Sequence, residues 1–187
     1  MKNYEMIHLI QEAGLPKDAE KVVVRAFNKI NDAQDPMACL TTSVVLCIAL
    51  EYLGYSPKLC LGKIWSDEQD YYHAWTELDG KVIDVAVFCN SSYSPYWKGK
   101  TISPQVNKTY TDTDVKYESF VFDEDYEETW IAQAVGLSFY FYCENAPKKN
   151  VIWKTIMYCL DASSLNVLYR IKDIAERHEI GEGNPNW

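Results

Sequence analysis

Three stretches in the first third of the chain place apolar side chains at helical spacing. Residues 2–13 and 16–30 carry apolar positions three and four residues apart, which predicts two packing helices. The third stretch, 35–53, starts with an Asp-Pro pair typical of a capped helix start and is followed by Gly54, a common helix end. Because this stretch is apolar on nearly all sides, we expect a central helix that other elements cover.

Strand patterns follow the third helix. The pattern of residues 58–64, 71–78 and 81–88 predicts three strands. The polar residues 66–70 predict a loop between the first two. An Asp-Gly pair at 79–80 joins the last two strands and favours a two-residue type I′ hairpin.

That hairpin fixes which residues share a face of the sheet. In this register the residue numbers of each facing pair sum to 159, so His73 faces Ala86 and Trp75 faces Asp84. His73 and Asp84 are then diagonal neighbours on one face, with backbones about 7–8 Å apart, a gap that long side chains bridge. A one-residue slip would send the two side chains to opposite faces, so the prediction depends on the turn.

The second half of the chain has weaker patterns. Residues 90–114 form a long polar stretch, which indicates a lid, a binding loop or a missed element. Later segments predict a strand over 117–122, a helix over 123–135, and two strands over 137–143 and 151–160. They also predict a final helix, capped by Ser163 or Ser164, that ends at about 178, and a loose tail over 181–185.

The order of these elements predicts one α+β domain over residues 1–187, without repeats. A helical N-terminal part covers 1–34, a core covers 35–88, the long loop covers 90–114, and C-terminal strands and a helix cover 115–180.

Composition and charge narrow the classes of function. The chain of 187 residues is 48% hydrophobic and 24% charged, as in a globular domain of ordinary size. Its 18 basic and 27 acidic residues give a net charge of −9, which repels phosphate backbones and anionic membranes, so we expect neither nucleic acid nor membrane as a partner. No apolar run is long enough to span a bilayer, and the first residues lack the layout of a secretory signal, which favours a cytoplasmic location.

Six cysteines are spread along the chain. In a cytoplasmic domain of this size, free thiols are favoured over disulfides. The chain has no CxxC pair, and its three histidines are scattered, so the sequence predicts no metal site and no cofactor. The six are Cys39, Cys47, Cys60, Cys89, Cys143 and Cys159.

Cys39, His73 and Asp84 together supply the parts of a nucleophilic site. A thiolate needs a partner that keeps it deprotonated, and an imidazole acts in that way when a third group orients its ring. Cys39 lies in the first turn of the predicted central helix, where the helix dipole favours a thiolate. Each residue also has a purely structural alternative. Cys39 would be a small buried hydrophobic side chain, His73 a core histidine whose ring nitrogens are hydrogen-bonded, and Asp84 an exposed strand residue.

Further candidates surround this group. The Cys39 amide and the side chain of Gln34 are candidate donors to an oxyanion, although a glutamine just before a helix is more often only a surface residue. Four aromatic residues are candidates for substrate binding, and their alternative is to pack as core or loop hydrophobes. They are Trp75, Tyr93, Tyr96 and Trp97.

The order and spacing of several short motifs resemble the transglutaminase-like cysteine superfamily with its papain-like core. The motifs are a cysteine at a helix start, a glycine that closes that helix, and the segments Leu61-Gly62-Lys63-Ile64, His73-Ala74-Trp75 and Ile83-Asp84. The short interval from histidine to aspartate is similar to the compact bacterial branch that includes the lasso-peptide leader peptidases. The resemblance covers about residues 35–88. The sequence departs from the family after the cysteine, where it has Leu40-Thr41-Thr42.

The resemblance implies a central helix that carries the cysteine and packs on an antiparallel sheet. It also implies that Cys39 is the nucleophile, His73 the general base and acid, and Asp84 the orienting carboxylate. We therefore expect acyl transfer or hydrolysis of an amide or peptide bond through a Cys39 thioester, with a peptide or protein as the substrate. Water as acceptor would make a peptidase or amidase, and an amine would make a transglutaminase-like acyltransferase. The alternative is a non-catalytic binding or scaffolding domain that keeps the fold.

Overall fold

The computed structural model describes residues 3–35, 37–66, 69–119, 130–146 and 149–182. Helices and strands follow one another along the chain in an α+β arrangement. They are α1 (Asn3–Glu12), α2 (Lys17–Ala33), α3 (Cys39–Tyr52), β1 (Lys58–Ser66), β2 (Gln69–Leu78), β3 (Lys81–Asp84), α4 (Ala86–Tyr93), β4 (Gln105–Lys108), β5 (Lys116–Ser119), α5 (Trp130–Ala134), α6 (Phe139–Asn145), α7 (Lys149–Cys159) and α8 (Leu165–Glu176).

Helix α3 is the central helix, and most of its side chains are buried against α2, α7, α8 and the sheet. It ends as predicted: Gly54 adopts a φ of 94°, and the Tyr55 amide donates to the Leu50 carbonyl over 3.1 Å. The left-handed conformation at this position is one that glycine adopts at little cost.

The start of α3 differs from the prediction. Asp35 does not cap the helix, because its carboxylate accepts the Met37 amide in a turn before it. The first helical hydrogen bond runs from the Thr42 amide to the Ala38 carbonyl over 2.8 Å, and the helix begins at Cys39. The predicted Asp-Pro start was therefore wrong, while the prediction that Cys39 lies in the first turn is confirmed. Pro36 itself lies outside the described residues.

Five strands form an antiparallel sheet in the order β4-β3-β2-β1-β5. The hairpin register is confirmed, since Leu78 pairs with Lys81 and Thr76 with Ile83. The third strand is shorter than predicted, because β3 ends at Asp84 and α4 follows directly. The predicted pairings of His73 with Ala86 and of Trp75 with Asp84 are therefore absent from the ladder between β2 and β3.

The two faces of the sheet have different partners. One face packs on α3, where the Thr76 hydroxyl donates to the Ser43 carbonyl over 3.4 Å. Alternation along β2 sends His73 and its neighbours two residues away to the other face. That second face is covered by Val87 of α4 and by Ile102 and other residues of the segment that follows.

Gly62 allows β5 to approach β1 closely. It pairs with Ser119, and a Cβ at this position would overlap the Glu118 carbonyl oxygen and touch the Trp75 ring. A residue without a side chain is therefore required where the edge strand β5 joins the sheet.

The stretch 90–114 is not a single long loop. Its first residues belong to α4, and its later part contains β4, so two elements were missed there. The alternation over 117–122 is confirmed as β5 as far as Ser119. Most of the helix predicted over 123–135 lies outside the described residues, which resume with α5 at Trp130.

The two strands predicted over 137–143 and 151–160 were wrong, because both stretches are helices. The Ser138 side chain accepts the Phe141 amide over 3.0 Å and starts α6, and α7 packs against α2 and α3. A helix cap and burial thus override the preference of aromatic and β-branched residues for strands. The final helix is confirmed with Ser164 as its cap, and the predicted tail lies outside the described residues from 183 onward.

None of the described helices has the length and apolar character needed to cross a membrane.

Candidate active site

Cys39 is the first residue of α3 and is 2% exposed. The amide groups of a first helical turn have no acceptor within the helix, and the positive end of the helix dipole lies there. A thiolate at this position is stabilised by both effects.

His73 lies on β2 and is fully buried. Its Nε2 atom is 2.7 Å from Oδ2 of Asp84, and Cys39 forms a hydrogen bond with the imidazole. Because a carboxylate only accepts, Nε2 carries the proton in this contact, which leaves Nδ1 as the ring nitrogen that exchanges a proton with the thiol. The structure thus brings the three residues of the predicted triad together.

Asp84 is held by two further donors. The Val87 amide donates to Oδ1 over 3.0 Å, and the Tyr117 hydroxyl donates to Oδ2 over 2.7 Å. The first donor exists because α4 begins just after β3, so the carboxylate caps the start of that helix. These contacts fix the carboxylate that orients His73.

The electrostatics of the triad favour a charged imidazole. Burial alone lowers the pKa of His73, but Asp84 and Cys39 outweigh that effect and raise the pKa to about 10. The imidazolium therefore persists at neutral pH, and its positive charge stabilises the anionic form of the neighbouring sulfur.

Asn90 and Tyr71 complete the surroundings of the imidazole. The Asn90 side-chain nitrogen on α4 lies 3.3 Å from Nδ1 of His73. The Tyr71 ring contacts the imidazole edge-on, with centroids 5.5 Å apart. Asn90 was missed because the polar pattern of its segment predicts a loop, whereas a helix there places Asn90 one turn after Ala86, where α4 begins.

Two residues from the second half of the chain also reach the site. Tyr117 of β5 holds Asp84, and burial followed by the Asp84 charge raises its pKa well above the usual value. Tyr142 of α6 shares a hydrogen bond of 2.8 Å with Thr41. Burial raises the pKa of Tyr142 to about 12, and the nearby Cys39 contributes to that rise. No local pattern links these residues to the triad, since the contacts join distant segments.

The four aromatic candidates occupy different environments. Trp75 is fully buried, donates from Nε1 to the Tyr110 hydroxyl over 3.1 Å, and fits its alternative as a core residue. Tyr93 packs on the core and donates to Asn31 over 2.8 Å. Tyr96 is 84% exposed, and Trp97 contacts Tyr71 with centroids 5.4 Å apart, beside the site.

Gln34 caps the C-terminal end of α2 in a left-handed conformation with a φ of 51°. Its side chain is exposed, five positions before Cys39. Its role as an oxyanion donor remains a prediction.

The other five cysteines are all buried and free. Burial raises the pKa of Cys60, Cys89, Cys143 and Cys159 to about 12, and it raises that of Cys47 further. These thiols stay protonated at neutral pH and act as small hydrophobic side chains.

A groove of about 350 Å³ lies beside the start of α3. Its walls come from α2, α3 and α7, and they include Ala38, the residue before Cys39. Two acidic residues, Asp32 and Asp35, contribute to its lining. Thr42 also lines the groove, and its buried hydroxyl makes no hydrogen bond with the described part of the chain.

The fold and site define an α+β protein in which a cysteine at a helix start meets a histidine and an aspartate from the adjacent antiparallel sheet. The model of the transglutaminase-like superfamily matches residues 11–97, a little under half of the chain, and this stretch is similar to that superfamily. Members of that superfamily are commonly enzymes that use a cysteine. No curated protein and no solved structure matched the chain in the corresponding comparisons.

Proposed function

We propose that the protein is a cysteine-dependent enzyme that forms an acyl thioester at Cys39 from an amide or peptide substrate. The observation that carries the proposal is the buried chain of hydrogen bonds from Cys39 through His73 to Asp84. A structural cysteine, histidine and aspartate have no need to align in this order at a helix start, whereas acyl transfer requires that alignment.

The reaction follows from the positions of the three groups. The Cys39 sulfur attacks the carbonyl carbon, and the electrons of the carbonyl bond move to its oxygen. When the carbonyl bond re-forms, the bond to the leaving amine breaks and His73 gives that amine its proton. In the second half, His73 takes a proton from the acceptor as the acceptor attacks the thioester carbon. The sulfur–carbon bond then breaks and returns the Cys39 thiolate beside the protonated His73.

The acceptor decides the class of enzyme. Water would make the protein a peptidase or amidase, and an amine would make it a transglutaminase-like acyltransferase. Within the family, the proposal places the chain nearest to the compact bacterial branch of lasso-peptide leader peptidases, on the short interval between His73 and Asp84. The groove beside Ala38 is a suitable place for the part of a peptide that flanks the reacting bond.

The second candidate is a non-catalytic binding domain that retains the fold. The observation that favours it is burial, since Cys39 is 2% exposed and His73 is fully buried. Under the catalytic proposal, a covering segment must move before an acyl group reaches the sulfur.

Acylation with an activated ester distinguishes the two candidates. p-Nitrophenyl acetate is mixed with the protein at neutral pH, and intact mass and peptide mapping follow the transfer of one acetyl group. We expect acetyl-Cys39 to form and then turn over, and we expect Cys39→Ala to abolish the reaction. Cys89→Ala is the matched control and should retain it. Labelling that is absent, or that persists in Cys39→Ala, would contradict the enzyme and favour the binding domain.

A further inference from the structure

Tyr71 is fixed beside the triad by two aromatic contacts. It precedes His73 by two residues on β2, so both side chains lie on the same face of the sheet. Its ring meets the imidazole at an interplanar angle of 82° and the Trp97 ring at 81°. The phenol is therefore held in one orientation toward the site.

The hydroxyl of Tyr71 is buried and makes no hydrogen bond of normal geometry within the described ranges. Its polar surroundings belong to the site. Burial raises the pKa of Tyr71 most, the charges of Asp84 and Cys39 raise it further, and the Asn90 amide opposes them. The hydroxyl thus keeps its proton over the working pH range and remains a donor.

A buried donor without an acceptor reduces the stability of a fold, and such groups are retained where a ligand supplies the missing partner. Attack of Cys39 on a carbonyl creates that partner, because negative charge develops on the carbonyl oxygen. A fixed donor directed at this charge is commonly the largest contribution to the rate of acyl transfer.

We propose that the Tyr71 hydroxyl is a catalytic donor to the oxyanion that forms during acylation of Cys39. This role rests on the proposed function. The phenol donates a hydrogen bond and transfers no proton. The sulfur–carbon bond forms as the carbonyl electrons move to oxygen; the carbonyl bond then re-forms, the bond to the leaving group breaks, and the sulfur–carbon bond remains as the thioester. The Cys39 amide at the start of α3 is the natural second donor, and the exposed Gln34 is not required.

Two reactions of the same sulfur test the role of Tyr71. Iodoacetamide alkylates the thiolate by displacement at a saturated carbon, with no oxyanion, whereas p-nitrophenyl acetate acylates it through one. In Tyr71→Phe we expect acylation of Cys39 to slow by about 10²-fold while alkylation is unchanged. The variant keeps the ring and loses a hydroxyl whose proton has no acceptor in the described part of the chain, so it should fold, which urea unfolding verifies.

Two other tyrosines provide controls. Tyr96→Phe, on an exposed side chain, should leave both reactions unchanged. Tyr117→Phe should slow both, because Tyr117 acts through Asp84 and His73 on the reactivity of the thiolate.

The outcomes separate this role from the proposed function. Equal losses in both reactions of Tyr71→Phe, or no loss in acylation, would overturn the role of Tyr71 and leave the acyl-transfer proposal standing. Wild-type protein that is alkylated at Cys39 but never acylated there would overturn the proposed function and the role of Tyr71 with it.

Discussion

Nε2 of His73 and Oδ2 of Asp84 are 2.7 Å apart, and both side chains are buried. Water cannot compete for either group, so the carboxylate fixes the ring orientation and the tautomer of the imidazole. This contact determines which nitrogen faces Cys39, and the reactivity of the thiol depends on it.

Limiting iodoacetamide at neutral pH should alkylate Cys39 before any other cysteine. The imidazolium of His73 favours the Cys39 thiolate, whereas burial raises the pKa of the other five thiols. Peptide mapping over time measures the order of labelling. Earlier modification of Cys47 or Cys89 would remove the main support for Cys39 as the nucleophile.

Asp84→Asn should slow alkylation of Cys39 at neutral pH in a protein that remains folded. Without the carboxylate, the pKa of His73 falls and the wrong tautomer becomes accessible, so the thiolate loses its partner. The rate of iodoacetamide labelling is the measurement, and far-UV circular dichroism checks the fold. Asp79→Asn, in the exposed hairpin turn, is the matched control. Equal rates in the two variants would make Asp84 purely structural.

Tyr117→Phe should lower the free energy of unfolding by about 1.5–3 kcal/mol, because it removes a buried hydrogen bond to a charged acceptor. Urea unfolding of the variant measures the change. Tyr96→Phe should leave stability as it is. A Tyr117 variant as stable as wild type would mean that the hydroxyl does not hold Asp84 in solution.

The ion pair of His73 and Asp84 should give a stability that depends on pH. The pKa of His73 is raised from 6.5 to about 10 in the folded state, so the stabilisation is complete below pH 6.5 and is lost as pH rises through about 10. The difference in unfolding free energy between wild type and Asp84→Asn should therefore be largest near about pH 6 and should narrow as pH rises through about 10. The part that remains above that pH comes from the bonds that Val87 and Tyr117 donate to the carboxylate. Urea unfolding across this range measures it, and a constant difference would contradict the ion pair.

Thr42→Val should raise the free energy of unfolding by about 1 kcal/mol, because it replaces a buried hydroxyl without a partner by a methyl group of similar shape. Thr155→Val is the comparison, since the Thr155 hydroxyl donates to the Val151 carbonyl over 2.8 Å and should gain nothing. Chemical unfolding of both variants measures the change in the free energy of unfolding. A loss of stability in Thr42→Val would show that the hydroxyl has a partner in solution.

Local signals were sufficient for the hairpin and the central helix. The Asp-Gly turn fixed the register of β2 and β3, and Gly54 marked the end of α3. The start of α3 was misplaced because an Asp-Pro pair also suits a turn, and Asp35 uses its carboxylate there. The helices α6 and α7 could not be recognised from composition, since their burial against other helices overrides strand propensity.

The three residues of the triad were predictable, but the way in which they meet was only partly so. Register placed His73 and Asp84 on one face, although Asp84 reaches His73 from the end of β3 rather than from a paired position. Tyr117 and Asn90 were out of reach, because their contacts depend on β5 and α4, whose places are set by tertiary structure.

Gly62 has no side chain that could contact the triad, yet the placement of the Tyr117 phenol depends on it. The Cβ of any other residue at this position would overlap the Glu118 carbonyl oxygen and push the edge strand β5 outward. Tyr117 directly precedes Glu118 in that strand, so its phenol would move as well. A loss of activity on substitution of Gly62 would thus result from a wider spacing between the backbones of β1 and β5. Mutational maps of this protein should accordingly attribute an effect at position 62 to strand separation, and not to recognition of the substrate.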